Sequence, residues 1–149
     1  AEPSRLRLEF LTERPVSVHD ASTSALYRRL LDLHGDDGAL RGDVVLAVGL
    51  DVDPEHEDDF NAWYDTEHLP NLAKVDGVYR AHRYRREGDQ GRDADGFPRY
   101  LALYDLASPE VFGSDGWREA VETPWTNRLR PHFKARIRSV YRPVDPAAS

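Results

Sequence analysis

The sequence predicts an α+β fold: a four-stranded antiparallel sheet in ferredoxin-like, split βαβ order, preceded by a strand-and-helix extension. Three observations predict it. The run Val44 to Leu50 is apolar and strand-sized; aromatic residues from Phe60 onward recur at helical spacing; and Val78–Arg86, Arg99–Leu106 and Phe133–Tyr141 alternate as strands do.

Each element has its own signal. Leu6, Leu8 and Phe10 alternate with Arg5, Arg7 and Glu9, the period of a half-buried strand. Asp20 or Ser22 is placed to cap a helix through Leu26, Leu30 and Leu33 that stops near Gly35. A Gly/Asp loop to Asp43 then leads into the buried strand. Asp53-Pro54 reads as a capping carboxylate followed by proline at the first helical position, with Glu55, Glu57, Asp58 and Asp59 at the positive end of the helix dipole. Phe60, Trp63, Tyr64, Glu67 and His68 share a face of this helix, and Pro70 interrupts it near Leu69. The alternation of Val78–Arg86 sets Val78, Arg80, His82 and Tyr84 against Tyr79, Ala81, Arg83 and Arg85. A polar connection, Glu87–Pro98, leads to the next strand, where Tyr100, Ala102 and Tyr104 share a face. Ser108-Pro109 opens a helical region through Trp117 and Val121. In this division residues 1–43 form the extension, 44–142 the core and 143–149 a tail, all in one domain. Both helices lie on one face of such a sheet, and the other face also carries apolar residues, so a homodimer is expected.

Composition removes many chemistries. The chain of 149 residues has no cysteine, which excludes disulfides, thiolate zinc sites, iron–sulfur clusters and a cysteine nucleophile. Its net charge of -7 argues against nucleic acid as the main partner. A mean hydropathy of -0.68 and the lack of an apolar leader or long apolar run lead us to expect no membrane partner and a cytoplasmic location. The charges are unevenly spread: Asp51–Glu67 is acidic without Lys or Arg, and Arg128–Arg142 is basic without Asp or Glu. Each run reads either as a solvated face or as an electrostatic site for an anionic ligand or a partner subunit. The six histidines make no HExxH or HxH spacing, no Gly-rich phosphate loop is present, and no nucleophile elbow surrounds a serine. Metal and cofactor are therefore both expected to be absent.

His68 is the leading candidate for chemistry. It falls one turn after Tyr64 and Asp65, and imidazole titrates near neutrality, which suits proton transfer. Asp65 is placed to fix its tautomer. The plainer alternative is a helix-ending histidine that donates to a backbone carbonyl. Trp63 and Tyr64 read as core packing or substrate contact. Arg80, His82 and Tyr84 share one strand face, and Tyr100 and Tyr104 share a face of the next strand; these line a pocket or a dimer interface, depending on which face meets the helices.

The segment Phe60-Asn61-Ala62-Trp63-Tyr64-Asp65-Thr66-Glu67-His68-Leu69-Pro70, followed by Val75-Asp76-Gly77-Val78 and Arg83-Tyr84, resembles the dimeric α/β barrel superfamily, and within it the small EthD-like proteins and relatives of polyketide cyclases. The resemblance covers residues 44 to 142. It implies two ferredoxin-like subunits packed sheet to sheet, each with a pocket between sheet and helices. Members include cofactor-free monooxygenases, polyketide and olivetolic acid cyclases, muconolactone isomerases and haem enzymes, so the fold leaves the reaction open. It carries over most directly to His68, with Trp63, Tyr64 and Asp65 as its neighbours, while Pro124-Trp125-Thr126 resembles a late family segment that closes one end of the pocket. The function expected is cofactor-independent acid/base chemistry (cyclisation, isomerisation or dehydration) on an aromatic or polyketide-derived ligand. His68 would be its base or acid and Asp65 and Tyr64 would support it, with Trp63, Arg80, His82, Tyr84, Tyr100, Tyr104 and Trp125 contacting substrate. A cofactor-free monooxygenase and a non-catalytic binding protein are the alternatives.

Overall fold

A computed structural model describes residues 7–10, 15–19, 24–34, 42–87 and 98–142. Seven strands, β1 (Arg7–Phe10), β2 (Pro15–His19), β3 (Ser24–His34), β4 (Val44–Val52), β5 (Val78–Arg86), β6 (Tyr100–Leu106) and β7 (Phe133–Tyr141), form one sheet in the order β1-β2-β3-β5-β6-β4-β7. Every neighbouring pair is antiparallel. The last four positions, β5-β6-β4-β7, are the predicted ferredoxin-like core, because the connections β4 to β5 and β6 to β7 each carry helices.

The N-terminal extension differs from expectation. Residues 24–34 form a strand, not a helix. Leu26, Leu30 and Leu33 have helical spacing, yet β3 pairs with β2 on one side and β5 on the other, with a bulge between Arg29 and Leu31. The bulge reverses which side chains face which way. Tyr27 joins one apolar cluster, with Tyr84, Leu101 and Leu103, whereas Leu31 and Leu33 pack against the other. β2 had no clear sequence signal. The expected caps Asp20 and Ser22, the Gly35–Arg41 part of the loop and the 143–149 tail lie outside the described residues, as does most of the 87–98 connection.

The helical segments α1 (Glu57–Trp63), α2 (Leu69–Ala73), α3 (Asp115–Val121) and α4 (Pro124–Leu129) contribute to one large core against the sheet. Phe60, Trp63, Leu69 and Leu72 from the first pair, with Trp117 and Leu129 from the second, meet Leu46, Ala102 and Tyr104. The first pair opens with a tight turn, Pro54–His56, rather than directly as an α-helix. Asp53 makes no capping bond; its carboxylate pairs with Lys134 (2.6 Å) and faces His132 (3.6 Å). Ser108–Val121 divides into a 3-10 turn and α3, for which Ser114 is the cap, accepting from the Trp117 amide. Thr123 caps α4 in the same way.

On the second sheet face, Tyr27, Ala47, Tyr84 and Leu103 are all less than 5% exposed within the single chain. The sequence argument for a dimer, an uncovered second face, therefore does not hold at the centre of the sheet. Among the described residues no helix is long and apolar enough to cross a membrane.

Candidate active site

The chain from Glu57 to Ala73 places the chemistry. Pro70 lacks an amide proton and its ring crowds the carbonyl one turn back, so an undisturbed α-helix cannot run through it. The chain instead widens just before it into a π-helical turn, Tyr64–His68, in which the Leu69 amide reaches back to the Tyr64 carbonyl. This turn brings His68 over Trp63: their rings stack at 4.2 Å and 19°. Tyr64 meets His68 edge-on at 5.1 Å. The Trp63 indole donates to Thr126 Oγ1 at 3.0 Å, which ties α1 to α4 and fixes the plane on which the imidazole rests.

His68, Trp63, Tyr64, Tyr104 and Thr126 line a cleft of about 60 Å³ that opens to solvent between helices and sheet. Val48 and Leu50 of β4 with Phe133, Arg136 and Arg138 of β7 supply the sheet side, and Phe112, Trp117 and Arg130 the opposite side. His68 Nδ1 is enclosed and has no hydrogen-bond partner among the described residues. Burial, with the positive charges of Arg130 and Arg83, pushes His68 down from 6.5 to about 3, so the ring is neutral at physiological pH. Burial raises Tyr64 and Tyr104 above the ordinary phenol value. Both phenols therefore keep their protons at neutral pH.

The other candidates are distributed differently. Asp65 is exposed and accepts from Arg83 (2.6 Å), so it does not orient His68. Arg83 is the buried cation beneath the helix: it also donates to Asn61 and lies 4.6 Å over the Tyr64 ring. Arg80, His82 and Tyr84 are on the second sheet face, away from the cleft. There His82 Nδ1 and the Tyr84 hydroxyl are 2.6 Å apart, and Arg80 pairs with Asp32. Tyr100 is on the helix side, but its hydroxyl bonds Glu57 (2.5 Å) and Asn61 (3.0 Å) instead of facing the cleft. Trp125 packs partly buried against the core and donates to Asp59 (3.1 Å) without lining the cleft, and its neighbour Thr126 is the cleft residue.

Sequence reasoning missed Phe112, Phe133, Arg130, Arg136 and Arg138 as cleft residues. For the arginines a signal existed: the acid-free basic run Arg128–Arg142, in which Arg136 and Arg138 alternate with Ile137. Among the described residues no three His, Asp or Glu side chains are placed to hold a metal ion.

Sheet order, helices on one face and the cleft between them define a ferredoxin-fold protein with an aromatic, histidine-containing pocket. Solved structures share this architecture. The chain is similar to a major regulator of staphylococcal pathogenesis (10% identity, TM-score 0.58, 95% of this chain and 86% of that one). It is similar also to a haem-degrading enzyme from Listeria monocytogenes (13%, 0.56, 93% and 83%). A third likeness is to an uncharacterised ferredoxin-fold protein from Listeria monocytogenes related to antibiotic biosynthesis monooxygenases (12%, 0.54, 97% and 83%). At these identities the likeness establishes the fold alone. No family model and no curated protein matches the chain.

Proposed function

We propose that the chain is a small-molecule enzyme of the dimeric α/β barrel type, related to its EthD-like and polyketide cyclase-like members, that uses neutral His68 to accept a proton from an aromatic or polyketide-derived substrate. One observation carries this reading: a partly buried imidazole, stacked on Trp63, with an enclosed nitrogen that no group among the described residues satisfies, in the lining of an open cleft. An unsatisfied buried polar atom costs about 1–3 kcal/mol, and a polar group of the substrate supplies the partner that the fold withholds. In this reading Tyr64 or Tyr104, both protonated at neutral pH, donates to an oxygen that gains negative charge. Because His68 is uncharged at neutral pH, it enters as a base or as a neutral donor and not as an imidazolium acid. Its low basicity calls for an acidic proton, such as one on carbon beside a carbonyl and an aromatic ring.

The cleft, about 60 Å³, has room for about four waters, hence for part of a small ring with the remainder at the mouth. It is too small to enclose a porphyrin. The monooxygenase reading is favoured by the ferredoxin-fold neighbour related to antibiotic biosynthesis monooxygenases. In it the same proton abstraction gives a carbanion that reduces O2: a CH2 group becomes a carbonyl, one oxygen entering the product and the other leaving in water. A homodimer is part of the proposal, supported by Ile137 and Val140, which are 41% and 46% exposed on edge strand β7.

The test uses phenylpyruvate, an enolisable aromatic acid. Solvent deuterium exchange at its benzylic carbon, followed by NMR, is expected to be accelerated by the protein and slowed at least a hundredfold by His68→Ala, with circular dichroism unchanged. The rate should stay flat from pH 8 to pH 5, because the His68 titration lies well below that range. Full activity in His68→Ala removes the histidine from the mechanism. Oxygen uptake in step with turnover selects the monooxygenase, and binding without exchange selects the accessory protein.

A further inference from the structure

We propose that the mouth of the cleft is an anion clamp formed by Arg136 and Arg138, so that the ligand is an aromatic carboxylate whose ring enters the cleft and whose charge stays at β7. The identity of the site as a ligand pocket rests on the reading above; the clamp adds the class of ligand.

The argument begins with an accounting of positive charge. In a chain with net charge -7, carboxylates are plentiful, and arginines elsewhere in the structure find them. Arg80 pairs with Asp32, Arg83 with Asp65, Arg99 with Glu57, Arg128 with Asp59, Arg130 with Glu122 and Arg142 with Asp43. Arg136 and Arg138 have no carboxylate partner among the described residues, although both line the cleft. They stand two residues apart on one strand with Arg130 close by. Burial, then Arg138 and Arg130, make the charged form of Arg136 less favourable than usual. Three like charges converge on an opening with no carboxylate among its described lining residues.

Their placement is also fixed. The Arg136 guanidinium lies 5.9 Å over the Phe133 ring and the Arg138 guanidinium 5.2 Å over Phe112. Both rings line the cleft, Phe133 from β7 and Phe112 from the 3-10 turn Pro109–Gly113. Cation–π contact holds the planar forks where they are without occupying their hydrogen-bond donors. A carboxylate is the group that a pair of such forks matches, and it relieves the repulsion between them. The aromatic lining, Trp63, Tyr104, Phe112, Trp117 and Phe133, selects a ring to accompany it. Arg130, already paired with Glu122, contributes field more than direct contact.

Benzoate and benzamide are the probes, since they share shape and differ in charge. Binding is read from tryptophan fluorescence, because Trp63 and Trp117 line the cleft. Wild-type protein is expected to bind benzoate at least tenfold more tightly than benzamide, and the benzoate affinity alone should fall as salt rises. Arg136→Gln/Arg138→Gln should remove the preference and leave benzamide affinity unchanged. Both residues are exposed, so the fold should tolerate the change. Arg136→Lys/Arg138→Lys should keep part of the preference, because charge survives and fork geometry does not. Equal binding of the two probes, no benzoate binding at all, or a preference untouched in the glutamine variant overturns the clamp. His68→Ala separates the two proposals: a surviving carboxylate preference without His68-dependent exchange leaves the clamp standing and the acid/base reading fallen. The reverse result leaves the chemistry standing and the clamp fallen.

Discussion

At the scale of the residue, two histidines have the same electrostatic problem in different places. Burial is the main reason that His68 and His82 both fall from 6.5 to about 3, with arginines adding to it: Arg130 and Arg83 for the first, Arg80 for the second. A depressed value means that the unfolded chain takes up protons that the folded chain refuses. Their contribution is therefore intact above pH 6.5 and is lost as pH falls toward 3. Thermal unfolding between pH 7 and pH 4.5 should show this decline, and a His68→Gln/His82→Gln variant should flatten it by up to about two protons. An unchanged slope would mean that the rings are solvated in the folded state. The same two residues show what was legible. His68, Trp63 and Tyr64 were found because helical spacing places them together and Pro70 marks where the helix must yield. His82, Tyr84 and Arg80 share one strand face as the sequence indicates, but alternation shows that two faces exist without showing which one the helices cover, and the structure sets them on the second face, away from the cleft. Asp65 was misassigned because spacing set it one turn from His68, whereas the buried guanidinium of Arg83, contributed by β5, captures it.

Among the elements, the core strands were legible and the extension was not. β4 and β6 follow the expected alternation, whereas irregularities after Val78 in β5 and between Lys134 and Ile137 in β7 break it, so that Val78 and Phe133 pack on the helix side; the order of helices between the strands identifies the split βαβ unit. β3 was read as a helix because its bulge at Leu30 breaks the period of two and leaves leucines at intervals of four and three. Pairing with β2 and β5 outweighs that local pattern, as tertiary context commonly does. The turn into β5 offers a test of a different kind. Gly77 has a φ of +92°, and a Cβ there would fall 2.6 Å from Val111 Cγ2. Gly77→Ala should therefore cost roughly 1–3 kcal/mol, combining backbone strain with a displaced core valine. Chemical denaturation measures it. A loss below the uncertainty of that measurement would show that the turn rearranges freely, and Gly113→Ala, with nothing near its added carbon, is the control.

For the whole molecule, the sheet has two ends of different character. β1 closes one edge and β7 the other. β7 is long, pairs only on its β4 side among the described strands and exposes Ile137 and Val140, the features of an edge that a second copy can cover. Light scattering should then report twice the 17.0 kDa of the chain, and Ile137→Glu/Val140→Glu should return it to the single mass. A single mass in the unaltered protein rejects the dimer. The net charge of -7 conceals the division that matters here, because carboxylates collect where helices start or beside other arginines, while Arg136 and Arg138 at the cleft have no carboxylate partner among the described residues. The described cleft residues of the sheet come from β4, β6 and β7, and none from β1, β2 or β3. The N-terminal strands thus stand at the far edge from the opening. Tethering the protein to a solid support through β1 would hold the support at the sheet edge opposite the cleft.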